Sequence, residues 1–211
     1  MNKTIGIWIA VFAGTFALLF VLIKTTAPKD TSHVYPETTV IRENDHVRGN
    51  PSAPGLLVEY GDFQCPGCAG FEPLLQQLST ELGDKMVLVY RYFPLPGHKH
   101  AIISSRYAEA AGMQGKFWEM HDRLFAEQQH WQGLDDPTST FLQYAKDLGL
   151  DTDKLKRDAD SESVAACISD SLAEAKQLEL PGTPSFFVNG RLVHPQSYDE
   201  LKALIENSPG R

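Results

Sequence analysis

Residues 56–93 constrain the fold most. They read "LLVEYGDFQCPGCAGFEPLLQQLSTELGDKMVLVYRYF". The run Leu56–Tyr60 has the composition of a short buried strand. After the two cysteines, Phe71, Leu74, Leu75, Leu78 and Leu82 recur at helical spacing, and Gly83 is a natural stop for that helix. Residues 85–93 read as a second strand. Two strands joined through a helix form a parallel crossover unit, with the pair Cys65/Cys68 at the junction of its first strand and helix.

The rest of the chain attaches to this unit. Residues 100–114 and 116–128 carry their apolar side chains on one face each. Asp136-Pro137 starts a helix that runs through Leu148, a short helix follows Asp151, and a longer one spans about 161–180. No strand signal occurs between 94 and 183. "TPSFFVNG" (183–190) is then an apolar run ending in the Asn-Gly turn signal, "RLVH" (191–194) is its return strand, and "YDELKALIE" (198–206) closes the chain as an amphipathic helix. The expected order is β-α-β, an all-helical insert over about 98–180, then β-β-α. This is an α/β fold, with a catalytic or binding domain over 51–211.

The two ends of the charge range exclude some functions. The chain has 211 residues, 42% hydrophobic, and a formal net charge of −8. There is no basic patch for phosphate contacts, which argues against nucleic acid as a partner. Residues 5–23, "IGIWIAVFAGTFALLFVLI", carry no charge and lie between Lys3 and Lys24. That length spans a bilayer as a helix. The small-residue cleavage site of a removed signal is poorly formed here, so residues 1–24 read as an uncleaved signal anchor. Residues 25–50, with Pro28, Pro36 and several threonines, read as an extracytoplasmic tether in which 38–43 forms a short edge strand. The flanking lysines do not fix the orientation. The domain is placed on the outer or periplasmic face of the cell membrane because of its cysteine chemistry.

Three uses of Cys65/Cys68 compete. A zinc half-site needs two further ligands. The third cysteine, Cys167, stands alone, and the histidines form no matching knuckle. A static staple would close a very small loop and gain little chain entropy. The third use is redox. Cys65 lies where a strand ends and a helix begins, with Pro66 at the first helical position. The unpaired N–H groups and partial positive charge of a helix N-terminus stabilise a thiolate there. Cys68 lies one turn further in. Cys65 then attacks or is attacked, and Cys68 resolves. Pro66 and Gly67 bring no charge, so stabilisation must come from backbone and helix end.

Four segments extend this reading: "APGLLVEYGDFQCPGC", "RYFPLPGHKHA", "GKFWEMHDRLFAEQ" and "LPGTPSFFVNGRLV". In this order the chain, from about Gly49 to Glu206, resembles the DsbA-like thiol–disulfide oxidoreductases of the thioredoxin superfamily, especially the membrane-anchored bacterial branch. The resemblance implies a thioredoxin fold with an all-helical insertion domain. It implies that Cys65 is the nucleophile and Cys68 its buried partner in a redox-active disulfide. It makes Pro184 a cis-proline beside that disulfide, Thr183 a tuning residue, and Glu59 and Glu72 acidic positions near the site. Glu59 would assist proton transfer to Cys68; otherwise it is a surface residue of an edge strand and Glu72 a solvated helix residue.

The implied function is a dithiol oxidase for reduced or unfolded exported proteins, reoxidised by a quinone-linked membrane partner. It would act as a monomer and need no bound cofactor or metal. A reductase or isomerase on the same fold, or a peptide-binding chaperone, are the rival readings. Elsewhere, His98 and His100 are expected to cap the following helix, Cys167 to be a buried inert thiol, and Phe63 and Trp131 to lend apolar surface beside the site.

Overall fold

The computed structural model describes residues 33–210. The anchor expected over 5–23 lies outside them. Among the described residues, no helix is long and apolar enough to cross a membrane.

Five strands form one sheet: β1 (His46–Gly49), β2 (Gly55–Gly61), β3 (Met86–Tyr92), β4 (Ser185–Val188) and β5 (Arg191–Val193), in the spatial order β1-β3-β2-β4-β5. β2 runs parallel to β3 and antiparallel to β4, so it is a central strand. Every residue of β2 and β3 is buried, which is why both read as near-continuous apolar runs without alternation. Among the described residues, eight α-helices surround the sheet: α1 (Pro66–Leu82), α2 (Ala101–Gly112), α3 (Phe117–Ala126), α4 (Gln128–Trp131), α5 (Thr138–Asp147), α6 (Thr152–Ala159), α7 (Glu162–Gln177) and α8 (Tyr198–Glu206).

The period of two along β2 divides its residues between two cores. Leu57 packs with Leu88, Phe186 and Val188 against Leu75, Leu78 and Leu82 of α1 and Leu201 and Ile205 of α8. Leu56, Val58 and Tyr60 face the other way, with Val87, Val89, Phe187 and Ala175 of α7. The insert, α2 to α7, builds a third core from Phe117, Met120, Leu124, Phe125, Trp131 and Phe141. That core continues into Phe63, Cys65 and Cys68.

Apart from the short α4, which the sequence did not announce, the helices and the four strands from β2 onward lie where the sequence places them, to within a few residues at each end. Asp151 caps α6 by accepting from the Lys154 N–H at 2.8 Å. Asp136 accepts from the Thr138 N–H at 2.9 Å, one residue before the helix expected to begin at Pro137. The N-terminal boundary differs. The edge strand is not 38–43 but His46–Gly49, paired antiparallel with β3. Residues 36–38 form a 3-10 turn instead. From residue 34 on, the segment expected to be free tether belongs to the same compact unit as the rest.

One buried cation explains this difference. Arg91 of β3 donates to both carboxylate oxygens of Asp45, at 2.9 and 2.8 Å, and to the carbonyls of Glu37 and Val40, at 2.9 and 3.1 Å. It also donates to the Tyr60 hydroxyl at 3.2 Å. These bonds curl residues 37–45 around the guanidinium, so that stretch cannot extend along β3. Removing one partner of a buried ion pair leaves an uncompensated charge, which costs about 3–5 kcal/mol. Arg91→Ala should lose that much in denaturant unfolding. A loss under about 1 kcal/mol would show that the clamp does not hold the segment.

Candidate active site

β2 ends at Gly61 and α1 begins at Pro66, and the four residues between make a turn organised by Asp62. The buried Asp62 carboxylate accepts from the Gln64 and Leu95 N–H groups, each at 2.8 Å, and pairs with His98 Nδ1 at 2.6 Å. Its carbonyl accepts from the Cys65 N–H at 3.0 Å. From the insert, the Gln128 amide donates to the carbonyls of Phe63 and Cys65, at 2.8 and 3.0 Å. Cys65 is thus held as the N-cap residue of α1, in extended conformation, with Pro66 as the first helical residue. Proline has no N–H to leave unpaired there, and its fixed φ suits the first turn.

The second wall is the chain before β4. The Thr183–Pro184 peptide bond is cis, and the Cys65 thiol donates to the Thr183 carbonyl at 3.3 Å. A Cβ on Gly67 would stand 3.2 Å from Pro184 Cδ and 3.5 Å from Cys65 Sγ. Only glycine lets helix and proline close on the sulfur without displacement. The structure therefore brings Cys65, Cys68, Pro66, Gly67, Thr183 and Pro184 into one site.

The two sulfurs titrate in opposite directions. The Cys65 thiol falls from 9.0 to about 5. The hydrogen bond from the Cys68 S–H lowers it most. Burial opposes, and the Thr183 side chain and the backbone N–H groups of Cys68 and Gly67 lower it further. The Thr183 hydroxyl has no other hydrogen-bond partner. The Cys68 thiol is raised well above its ordinary value, first by burial, then by its bond to Cys65 and the nearby Glu59 charge.

Glu59 is neither at an edge nor at the surface. It lies in the central strand, opposite Tyr90 of β3 and Phe186 of β4, and is 1% exposed. Burial, and then the Glu72 and Cys65 charges, push its carboxyl well up. Glu72 is likewise buried, contrary to a solvated helix position. Arg48 of β1, Gln76 and His121 of α3 surround it.

Some expectations fail. Phe63 and Trp131 are fully buried and offer no surface to a partner; each is core for the insert. His100 is the N-cap residue of α2, as expected, but its side chain makes no capping bond and His98 does not cap the helix. His98 pairs with Asp62, and His100 Nε2 lies 2.7 Å from the Leu134 carbonyl. Cys167 is half-buried beside Glu109, and burial first, then that carboxylate, pushes its thiol up to about 12. Asp62, Gln128 and His121 were not singled out from sequence. Asp62 carried a signal, since Asp after a strand favours a turn through its side chain; Gln128 carried none.

The thioredoxin family model matches residues 42–207. The chain belongs to the thioredoxin family. It is 31% identical to a thioredoxin-like oxidoreductase from Silicibacter pomeroyi DSS-3, whose crystal structure superposes with a TM-score of 0.67 over 85% of this chain and 96% of that one. BdbD from Bacillus subtilis, in its oxidised form, shares the fold at a TM-score of 0.70 and 23% identity, covering 78% of this chain and 92% of its own. Curated relatives include the Na(+)/H(+) antiporter NhaA 1 of Mycolicibacterium gilvum (strain PYR-GCK), 40% identical over 172 residues, which are 80% of this chain and 27% of the relative. The NhaA 1 antiporter of Salinispora arenicola (strain CNS-205) is 41% identical over 168 residues, 79% of this chain and 25% of its own. The chain spans about a quarter of the length of these curated relatives.

In this thioredoxin-family site, a thiolate absorbance titration of the reduced protein should show one transition near pH 5, absent in Cys65→Ser. Thr183→Val should move it upward, because the hydroxyl no longer faces the thiolate. A midpoint near the ordinary 9.0 would contradict the geometry.

Proposed function

We propose that this chain is a thiol–disulfide oxidoreductase that works as a dithiol oxidase on exported proteins. The observation that carries the reading is the unequal placement of the two sulfurs: Cys65 caps the N-terminus of α1 beside Thr183 and the cis Pro184, and Cys68 is buried one turn further in, which takes the Cys65 thiol down to about 5 and the Cys68 thiol up. In disulfide exchange the sulfur with the lower pKa leaves more readily. A Cys65–Cys68 disulfide is attacked at Cys65, the sulfur nearer the surface. The Cys65–Cys68 bond breaks as the substrate–Cys65 bond forms, and the electron pair goes to Cys68. Burial makes that thiolate costly, so Cys68 takes a proton from the raised carboxyl of Glu59. The substrate's second thiolate then attacks its own sulfur in the mixed disulfide. Its disulfide forms and Cys65 departs as a stable thiolate. The substrate is oxidised by two electrons and the pair reduced.

Thr183 and Pro184 form the wall beside Cys65 along which an extended substrate would lie. Reoxidation reverses the sequence against a disulfide of a partner, which on the family resemblance is a quinone-linked membrane protein. The location proposed is extracytoplasmic, beside the membrane, with residues 5–23 as anchor. Relatives that carry a matching segment within membrane antiporters support a membrane-side site.

The test is the redox equilibrium of the full chain with glutathione, read by thiol alkylation and mass shift. An oxidase should lie near about −120 mV, and a value near about −270 mV would instead make it a reductase. A second outcome follows from linkage. A thiol whose folded pKa is depressed contributes stability that is complete above its unfolded value and is lost as pH falls through its folded value. The reduced protein should therefore gain thermal stability over the oxidised one between pH 5 and 9. Its advantage should shrink as pH drops through about 5. A melting difference that does not change across that window would refute the stabilised thiolate.

A further inference from the structure

The buried charges behind Cys68 continue past the redox pair into the insert. Glu72 stands one turn after Cys68 on the same face of α1 and is 4% exposed. Its Oε1 accepts from Gln76 Nε2 at 2.9 Å and from Arg48 Nη1 at 3.4 Å, and lies 3.8 Å from His121 Nδ1. The same His121 nitrogen lies 2.9 Å from Asp122 Oδ1, which accepts from Arg48 Nη2 at 2.5 Å. His121 is fully buried, whereas the Asp122 side chain is 37% exposed. One imidazole nitrogen thus faces a buried carboxyl on one side and a solvent-facing carboxylate on the other. Arg48 supplies the positive charge between them.

Four buried polar atoms in this region have no hydrogen-bond partner: Glu59 Oε2, Glu72 Oε2, the Tyr90 hydroxyl and His121 Nε2. Each such atom costs about 1–3 kcal/mol, and a cluster of them asks for a functional explanation. Glu59 and Glu72 act on each other electrostatically, and Glu59 acts on Cys68. His121 is ringed by Phe63, Tyr90, Trp118 and Phe125, with its ring steeply inclined to each. Nε2 has no hydrogen-bond partner, whereas Nδ1 faces both carboxyl groups and is therefore the exchanging atom.

We propose that Glu72, His121 and Asp122 form the route by which protons pass between solvent and the buried Glu59–Cys68 pair. This rests on the disulfide-exchange reading above. As Cys68 leaves and takes the Glu59 proton, Glu59 regains one from Glu72. Glu72 regains one from His121 Nδ1, and that nitrogen is reprotonated from solvent at Asp122. No net charge accumulates in the interior. The groups facing His121 are Glu72 from α1, Arg48 from β1, Tyr90 from β3 and Asp122 on α3 itself. Glu72, His121 and Asp122 are positioning residues that do not touch the substrate; they act through Glu59.

The test mixes the oxidised full chain rapidly with a small-molecule dithiol between pH 5 and 9, in H2O and in D2O. His121→Gln should slow reduction about tenfold at pH 7, less than the roughly 10²-fold typical for removing a direct proton donor. Its solvent isotope effect should rise, while the Cys65 thiolate titration stays where it is. Asp122→Asn, at a half-exposed position, should slow reduction in the same direction and carries the test if His121→Gln does not fold. Wild-type rates and isotope effects in the folded variants would overturn the route. So would a slowing that comes with a shifted Cys65 titration, because the pair itself would then be disturbed. A wild type that does not react with the dithiol at all would instead overturn the oxidoreductase reading, and the route with it.

Discussion

Cys68 donates its S–H to Cys65, and the rest of the site is arranged so that it never needs to do the reverse. The outer sulfur has the helix N-terminus, two backbone N–H groups and the Thr183 side chain around it. The inner sulfur has a low-dielectric core and an acid below it. Negative charge is welcome at one sulfur and costly at the other, only one turn of helix apart. This asymmetry depends on where α1 starts. Asp62 fixes that point from within the turn, Gln128 from the insert, and Pro66 by its own ring. A helix starting one residue later would move the free N–H groups off Cys65 and erase the difference.

A site of this kind works against the fold that carries it. Glu59 occupies a central strand whose other side chains are apolar or aromatic, and a carboxyl buried there without full hydrogen bonding weakens the sheet. The compensation is not local. It lies in three continuous cores and in the Arg91 clamp, which ties the segment before β1 to the sheet and to Glu174 of α7. The Arg91 clamp and the core around Leu56, Val58 and Tyr60 lie on the face away from the sulfurs, and the polar strain is concentrated on the face beneath them.

Much of this was legible in the sequence, for a physical reason. The β2–α1–β3 unit, the helical insert and the closing hairpin each declare themselves through local periodicity and turn residues. Cys65, Pro66, Gly67 and Cys68 are contiguous, so their placement at a helix start follows from the same local signals. Thr183 and Pro184, 118 residues from Cys65 in the case of Thr183, could be joined to the pair only through family resemblance. What was not legible depended on pairings between distant segments. The edge strand is fixed by β3 and Arg91, not by the propensity of residues 38–43. Glu59 is central because β4 returns to pair with β2, which no window around residue 59 reveals. His121 looks like one more residue on an amphipathic face until Glu72 and Arg48 arrive beside it.

The insert is therefore part of the site's electrostatics as well as a lid of helices. α4 sends Gln128 to the two carbonyls flanking the first cysteine turn, and α3 sends His121 to the acid one turn beyond the second cysteine. The thioredoxin sheet positions the helix end that lowers the Cys65 thiol. The insert closes the other side, where its Phe125 and Trp131 share a buried core with Phe63 and Cys68. A buried thiol must still exchange protons with water, and excluding solvent makes that harder. The proposed route meets that demand with titratable groups that reach through the added helices. Here α3 presents them as neighbours in sequence, one buried and one facing out.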